Sequence, residues 1–352
     1  MERTCPAQLK RSPMSEEEYE NQGPDIPPLP AEDFITHEPR WFQDVLAETP
    51  ETRWVESEGT QIHYRKWASK AENRPGLLLV HGNGAHARWF DFIAPLLTDR
   101  YEVASIDLPG MGDSHWRDEY TRETYAHAIK TVAFDAGLGP RPVIVGHSFG
   151  GFVTLITGAL YGAELGGVIL ADFKVRPKHD AVEWFLGDAP RRPTRIYPDL
   201  ETALGRFRLA PLQECANKFI TDYIGKHSLR EVTVGENEGR RPSDENGWSW
   251  KFDPFAFNGL RMGGEEHEDM FKNLACPVGV MYGDISKDHD LETMAFMRGL
   301  RPEAPIFTVP FAQHHIMLDQ PVAFASAVGT LMADWEAKGA LSAKSTQSTA
   351  AA

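Results

Sequence analysis

The 352-residue chain has few cysteines, a deficit of positive charge and no long apolar run. Its three cysteines, Cys5, Cys215 and Cys276, are widely scattered and show no CxxC spacing. That argues against a disulfide framework and against a zinc site. Lysine and arginine number 36 against 51 acidic side chains, a formal net charge of -15. A surface of that sign repels phosphate backbones and anionic headgroups, so neither nucleic acid nor a membrane is an expected partner. No apolar stretch approaches the ~18 residues that span a bilayer, and the first thirty residues carry no signal-like apolar core. The expectation is a cytoplasmic protein.

What remains is ordinary globular composition, 41% hydrophobic and 25% charged, enough for one large domain or a domain with an insertion. Residues 1–30 are polar and proline-rich, and residues 339–352 are small Ala, Ser and Thr, so both ends are expected to be disordered. Between them, short apolar runs recur at residues 77–80, 103–106, 142–145, 168–171, 278–282 and 306–309. Continuous apolar runs of this kind belong to strands buried on both faces, hence to a parallel sheet. Two alternating stretches, residues 52–57 and 61–67, meet at Glu58-Gly59 and fit an edge hairpin. Helical patterns at residues 85–97, 123–136, 150–161 and 321–338 complete a doubly wound α/β arrangement.

The rhythm breaks between residues 172 and 275, where no buried strand is legible. Helix-like pieces at residues 200–207 and 212–224 suggest an inserted helical cap over residues 173–272. The core would then be residues 31–172 and 273–338. Ligands of open α/β sheets bind beyond the carboxyl ends of the strands, so such an insertion would roof the site.

Gly146-His147-Ser148-Phe149-Gly150 fits G-x-S-x-G. Its context is what makes it informative, a strand directly before and a helix directly after. A turn tight enough to expose the serine oxygen needs glycines on either side, and the helix amino end favours an oxyanion there. His81-Gly82-Asn83-Gly84 follows the strand at residues 77–80. The Asn83 and Phe149 amides would form an oxyanion hole, with His81 bracing the loop.

With these motifs the chain resembles the α/β-hydrolase superfamily, in the branch with a cap between the sixth and seventh sheet strands. The resemblance covers roughly residues 50–335 and implies the α/β-hydrolase fold, a serine nucleophile and a Ser-His-Asp triad. Asp107-Leu-Pro-Gly-Met-Gly-Asp-Ser114 resembles a structural loop of that family. The family's histidine stands about seven residues before a helix-opening proline. In Gln313-His314-His315 ahead of Pro321 that spacing selects His314, with His315 adjacent. The usual G-x-x-D acid is missing: Gly283-Asp284-Ile285-Ser286 puts serine in its place. The acid is therefore Asp172, at the end of the preceding strand, or Asp288, two residues beyond the usual position.

The expected chemistry is acyl transfer on a small-molecule carboxylic ester, lactone or thioester, with no cofactor and no metal. A lyase, a perhydrolase, a carbon–carbon hydrolase or a slow-turnover ligand receptor would reuse the same residues. Gly82, Gly84, His147, Trp184, Trp248 and Trp250 are the expected pocket residues. The aromatic segment Gly247–Phe255 would serve equally well to anchor the cap.

Overall fold

The structure is a computed structural model that describes residues 29–71, 74–180, 192–262, 264 and 266–342. Most of both tails, residues 1–28 and 343–352, and Trp184 lie outside the described residues.

Eight strands form one sheet in the order β1-β2-β4-β3-β5-β6-β9-β10. They are β1 Glu51–Ser57, β2 Thr60–Trp67, β3 Gly76–Val80, β4 Glu102–Ile106, β5 Val143–His147, β6 Gly167–Ala171, β9 Val278–Gly283 and β10 Ile306–Val309. The alternating pair β1 and β2 is the antiparallel hairpin, turning through Glu58 and Gly59 at positive φ. Strands β3 to β6, β9 and β10 run parallel to one another. Parallel strands need crossovers, and helices supply them. Helices α1 (Arg40–Leu46), α2 (Arg122–Asp135) and α3 (Phe149–Tyr161) precede the insertion; α4 (Leu200–Leu204), α5 (Lys218–His227) and α6 (Glu266–Lys272) lie within it. Helices α7 (Leu291–Leu300), α8 (Ile316–Asp319) and α9 (Pro321–Ala337) follow.

Period-two alternation divides the core between the two faces of the sheet. Leu78, Val80 and Ile144 pack under α2 and α3, whereas Leu77, Leu79, Val143 and Val145 pack against α9 and its neighbours. Covered on both sides, these strands have no polar face to show, which is why they read as unbroken apolar runs.

Two expectations change. The helix expected over residues 85–97 is instead two 3₁₀ turns, Ala87–Phe90 and Ala94–Leu97. Pro95 has no amide to donate, so a continuous helical ladder does not form here. The insertion is not purely helical: β7 (Leu229–Val232) and β8 (Gly247–Trp250) pair antiparallel within it. Each has only four residues, too few to display a period.

Candidate active site

Strands β5, β6, β9 and β10 are consecutive neighbours, and the residues following them converge at one end of the sheet. Ser148 follows β5 with φ 54 and ψ -120, a left-handed conformation that costs a non-glycine residue of the order of 1–3 kcal/mol. Its amide donates to the Ala171 carbonyl at 2.9 Å, which locks the turn to β6. The elbow also explains its glycines. A Cβ at Gly146 would stand 2.1 Å from the Gly150 carbonyl oxygen, and one at Gly150 would stand 2.4 Å from that of Val80. Helix α3 starts immediately after Ser148, so its first amides, Phe149 included, have no acceptor within the helix and point their partial positive charge at the elbow.

The histidine sits on the loop between β10 and α8. His314 Nδ1 donates to Asp172 Oδ1 at 2.9 Å, whereas Asp288 Oδ2 is 3.6 Å away, beyond hydrogen-bond reach. Asp172 follows β6 at φ 48, is 1% exposed, and also accepts from the Gly283 amide at 3.1 Å and the Ser286 hydroxyl at 2.6 Å. Asp288 instead pairs with Lys174 Nζ at 3.2 Å. Of the two acids left open by the sequence, Asp172 makes the hydrogen bond.

Burial opposes a charge on His314, but Asp172 and Asp288 outweigh it and raise its pKa to about 9. Burial likewise pushes the Asp172 carboxyl up, with His314 and Ser286 pulling it back. For Asp288 the effect of burial is outweighed by His314 and Lys174, which hold it below its ordinary value. His314 Nε2 is buried with no hydrogen-bond partner, so the imidazole presents a free nitrogen on the side away from Asp172.

The loop after β3 completes the surroundings. A Cβ at Gly82 would lie 3.3 Å from Ser148 Cβ and 3.3 Å from His147 Nδ1, so a side chain there would crowd the elbow by a few tenths of an ångström. His81 braces the loop, its Nδ1 bonded to the Gly82 carbonyl at 2.7 Å and its Nε2 accepting from the Leu108 amide at 3.0 Å. Gly84, at φ 63, faces the Phe252 ring, which belongs to the aromatic segment of the insertion. His147 is buried, donates from Nε2 to the His314 carbonyl at 2.8 Å, and has its pKa lowered by burial to about 3. It ties the His314 loop to the elbow. Trp248 and Trp250 pack within the insertion against Tyr197, Ala203 and Leu229, so these contacts are anchoring ones. The same segment is fixed to the main sheet by the Asp253 amide, which donates to the Gly110 carbonyl at 2.7 Å.

Ser286, Lys174, Phe252 and Phe257 carry contacts that the sequence reading did not assign. Phe257 meets the Phe149 ring edge-on at 5.1 Å. A serine standing where a triad acid was expected was the available signal for Ser286, and its role became visible only beside Asp172.

A strained serine between strand and helix, with a carboxylate-oriented histidine from a later strand, is the arrangement of serine-nucleophile hydrolases. The model of the alpha/beta hydrolase family matches residues 77–327, and the chain belongs to that family. It is 39% identical over 82 residues to the pimeloyl-[acyl-carrier protein] methyl ester esterase of Methylococcus capsulatus, covering 23% of this chain and 30% of that protein. With the esterase Rv0045c of Mycobacterium tuberculosis it shares 23% identity over 267 residues, 75% of this chain and 83% of the relative. The crystal structure of that esterase superposes with a TM-score of 0.60 at 18% identity, over 84% of this chain and 97% of the other. Against the thioesterase domain from the curacin biosynthetic pathway the TM-score is 0.61 at 20% identity, over 81% and 99% of the chains. The first four curated relatives are matched over 30% to 50% of their own lengths. Among the described residues no helix is long and apolar enough to cross a membrane.

Proposed function

We propose that this chain hydrolyses a carboxylic ester or thioester of a small molecule through an acyl-enzyme on Ser148. The observation that carries the reading is the Asp172–His314 hydrogen bond at the ends of strands adjoining the elbow, with His314 Nε2 left unpartnered. In the reaction His314 Nε2 takes the Ser148 proton as the oxygen attacks the carbonyl carbon. Asp172 holds the imidazole in the Nδ1–H tautomer and stabilises the imidazolium that forms. The oxyanion is received by the Phe149 and Asn83 amides, groups whose individual loss typically costs about 10²–10³ in rate. His314 then returns the proton to the leaving alcohol or thiol. Water, deprotonated by the same nitrogen, releases the acid and restores Ser148.

The insertion supplies the wall above the oxyanion loop through Phe252, which suits an apolar acyl group. Relatives named as esterases and a thioesterase-domain neighbour support an ester or thioester over a carbon–carbon bond. The test is intact mass after treatment with a fluorophosphonate. Wild type is expected to gain one adduct, and Ser148→Ala none. A folded wild-type protein that gains no adduct would overturn the proposal in favour of a ligand receptor.

A further inference from the structure

Three histidines meet where the elbow touches the base loop, and they offer more nitrogen lone pairs than the proposed hydrolysis uses. His147 must carry its proton on Nε2 to donate to the His314 carbonyl, which leaves Nδ1 with a bare lone pair, buried and unpartnered. His314 has Nδ1 committed to Asp172 and Nε2 open. His315 is buried; the Pro211 carbonyl stands beside one of its ring nitrogens, and the other has no partner. The ring centroids are 4.9, 5.3 and 5.0 Å apart, and one nitrogen from each ring lies within 4.8 Å of the other two. Buried imidazole nitrogens ordinarily find a partner, because desolvating them without one costs free energy. Here three are left over in one place, one from each ring.

We propose that His147, His314 and His315 form an inhibitory site for a borderline-soft divalent cation of the Zn²⁺ type. Imidazole nitrogen suits zinc and copper, whereas magnesium and calcium require oxygen ligands that this cluster lacks. Tetrahedral zinc with bonds of about 2.0–2.1 Å places its ligand nitrogens about 3.3 Å apart, so side-chain rotations of roughly 1.5 Å or less close the cluster. Asp172 behind His314 provides the carboxylate that orients a metal-bound histidine. Ser148 Cβ adjoins the same Gly82 backbone as His147 Nδ1. With its lone pair on the metal, His314 can no longer accept the Ser148 proton. Inhibition thus rests on the proposed hydrolase reaction, while binding does not.

The test has two arms. Calorimetric titration of Ser148→Ala with ZnCl₂ reads binding without chemistry, and one Zn²⁺ per chain is expected, reversed by chelator and not reproduced by Mg²⁺. Fluorophosphonate capture by wild type is then followed against free Zn²⁺ and is expected to be suppressed. His315→Phe keeps a ring against Trp89, which His315 meets at 5.3 Å, but removes one ligand. It should capture the probe within threefold of wild type in the absence of metal and need on the order of 100-fold more Zn²⁺ to be silenced. His315→Leu replaces it should the larger ring prevent folding. Unchanged capture at saturating Zn²⁺, or equal sensitivity of wild type and the His315 variant, overturns the proposal. If no variant captures the probe yet the titration still loses its site on His315 replacement, the metal site stands and the hydrolase reading falls.

Discussion

Replacing each candidate acid by its amide gives a sharp comparison. In Asp172→Asn the new side chain fills the same buried space, but it can offer an N–H to His314 Nδ1 and so favour the wrong tautomer. It also removes the charge that stabilises imidazolium. At about 4 Å and an effective dielectric constant of about 20, that attraction is about 4 kcal/mol, roughly three powers of ten in rate. Asp288→Asn is a different perturbation. Its carboxylate is 3.6 Å from Nδ1, its side chain is 37% exposed, and Lys174 already partners it at 3.2 Å. Solvent and lysine together reduce its influence to about 1 kcal/mol or less, under tenfold. The assay is the second-order rate of fluorophosphonate capture, with p-nitrophenyl ester turnover beside it and thermal melting as the fold control. A loss of about 10³ for Asp172→Asn and less than tenfold for Asp288→Asn is expected. The reverse order, or equal losses, would refute the argument from hydrogen-bond geometry.

Three further outcomes are expected. Because His314 must be neutral to act and its pKa is raised to about 9, capture should rise about tenfold per pH unit through neutrality and level near pH 9. A midpoint near 6.5 would contradict that, and Asp288→Asn should move it downward. The same shift bears on stability. A folded-state pKa above the unfolded 6.5 stabilises fully below pH 6.5 and is lost as pH rises through 9, about 3 kcal/mol in all. Urea unfolding at pH 6 and pH 9.5, wild type against His314→Gln, measures it as the difference between the two pH responses. Finally, Ser148→Gly relieves a φ of 54 and should raise stability by about 1 kcal/mol while abolishing capture; a destabilised variant would show that the elbow holds little strain.

The parallel strands were legible because burial on both faces leaves an unbroken apolar run, as at residues 77–80 and 168–171. Ser148 was legible because its constraint is local: strand, tight turn and helix are contiguous. His314 was placed by its spacing from Pro321, again a local relation. The choice between Asp172 and Asp288 was not legible, since it depends on how β6 and β9 lie against each other. The same holds for the Ser286 hydroxyl that meets Asp172 across 114 positions of sequence. The pairing of β7 with β8 was hidden by the shortness of both strands. The 3₁₀ turns at residues 87–90 and 94–97 read as a helix because their apolar spacing is helical.

The insertion between β6 and β9 divides the site by chain as well as by strand. Ser148 and Asp172 precede it, and His314 and Asp288 follow it. On the proposed reaction, a chain cut within the insertion would yield one fragment with the nucleophile and no base, and another with the base and no nucleophile, so neither half would be competent alone. The Val168-to-Ala171 register against Val278-to-Met281 and the His147–His314 bond are the places where the halves recognise each other. On the proposed reaction, catalysis in such a split chain would report directly on the meeting of two sheet edges.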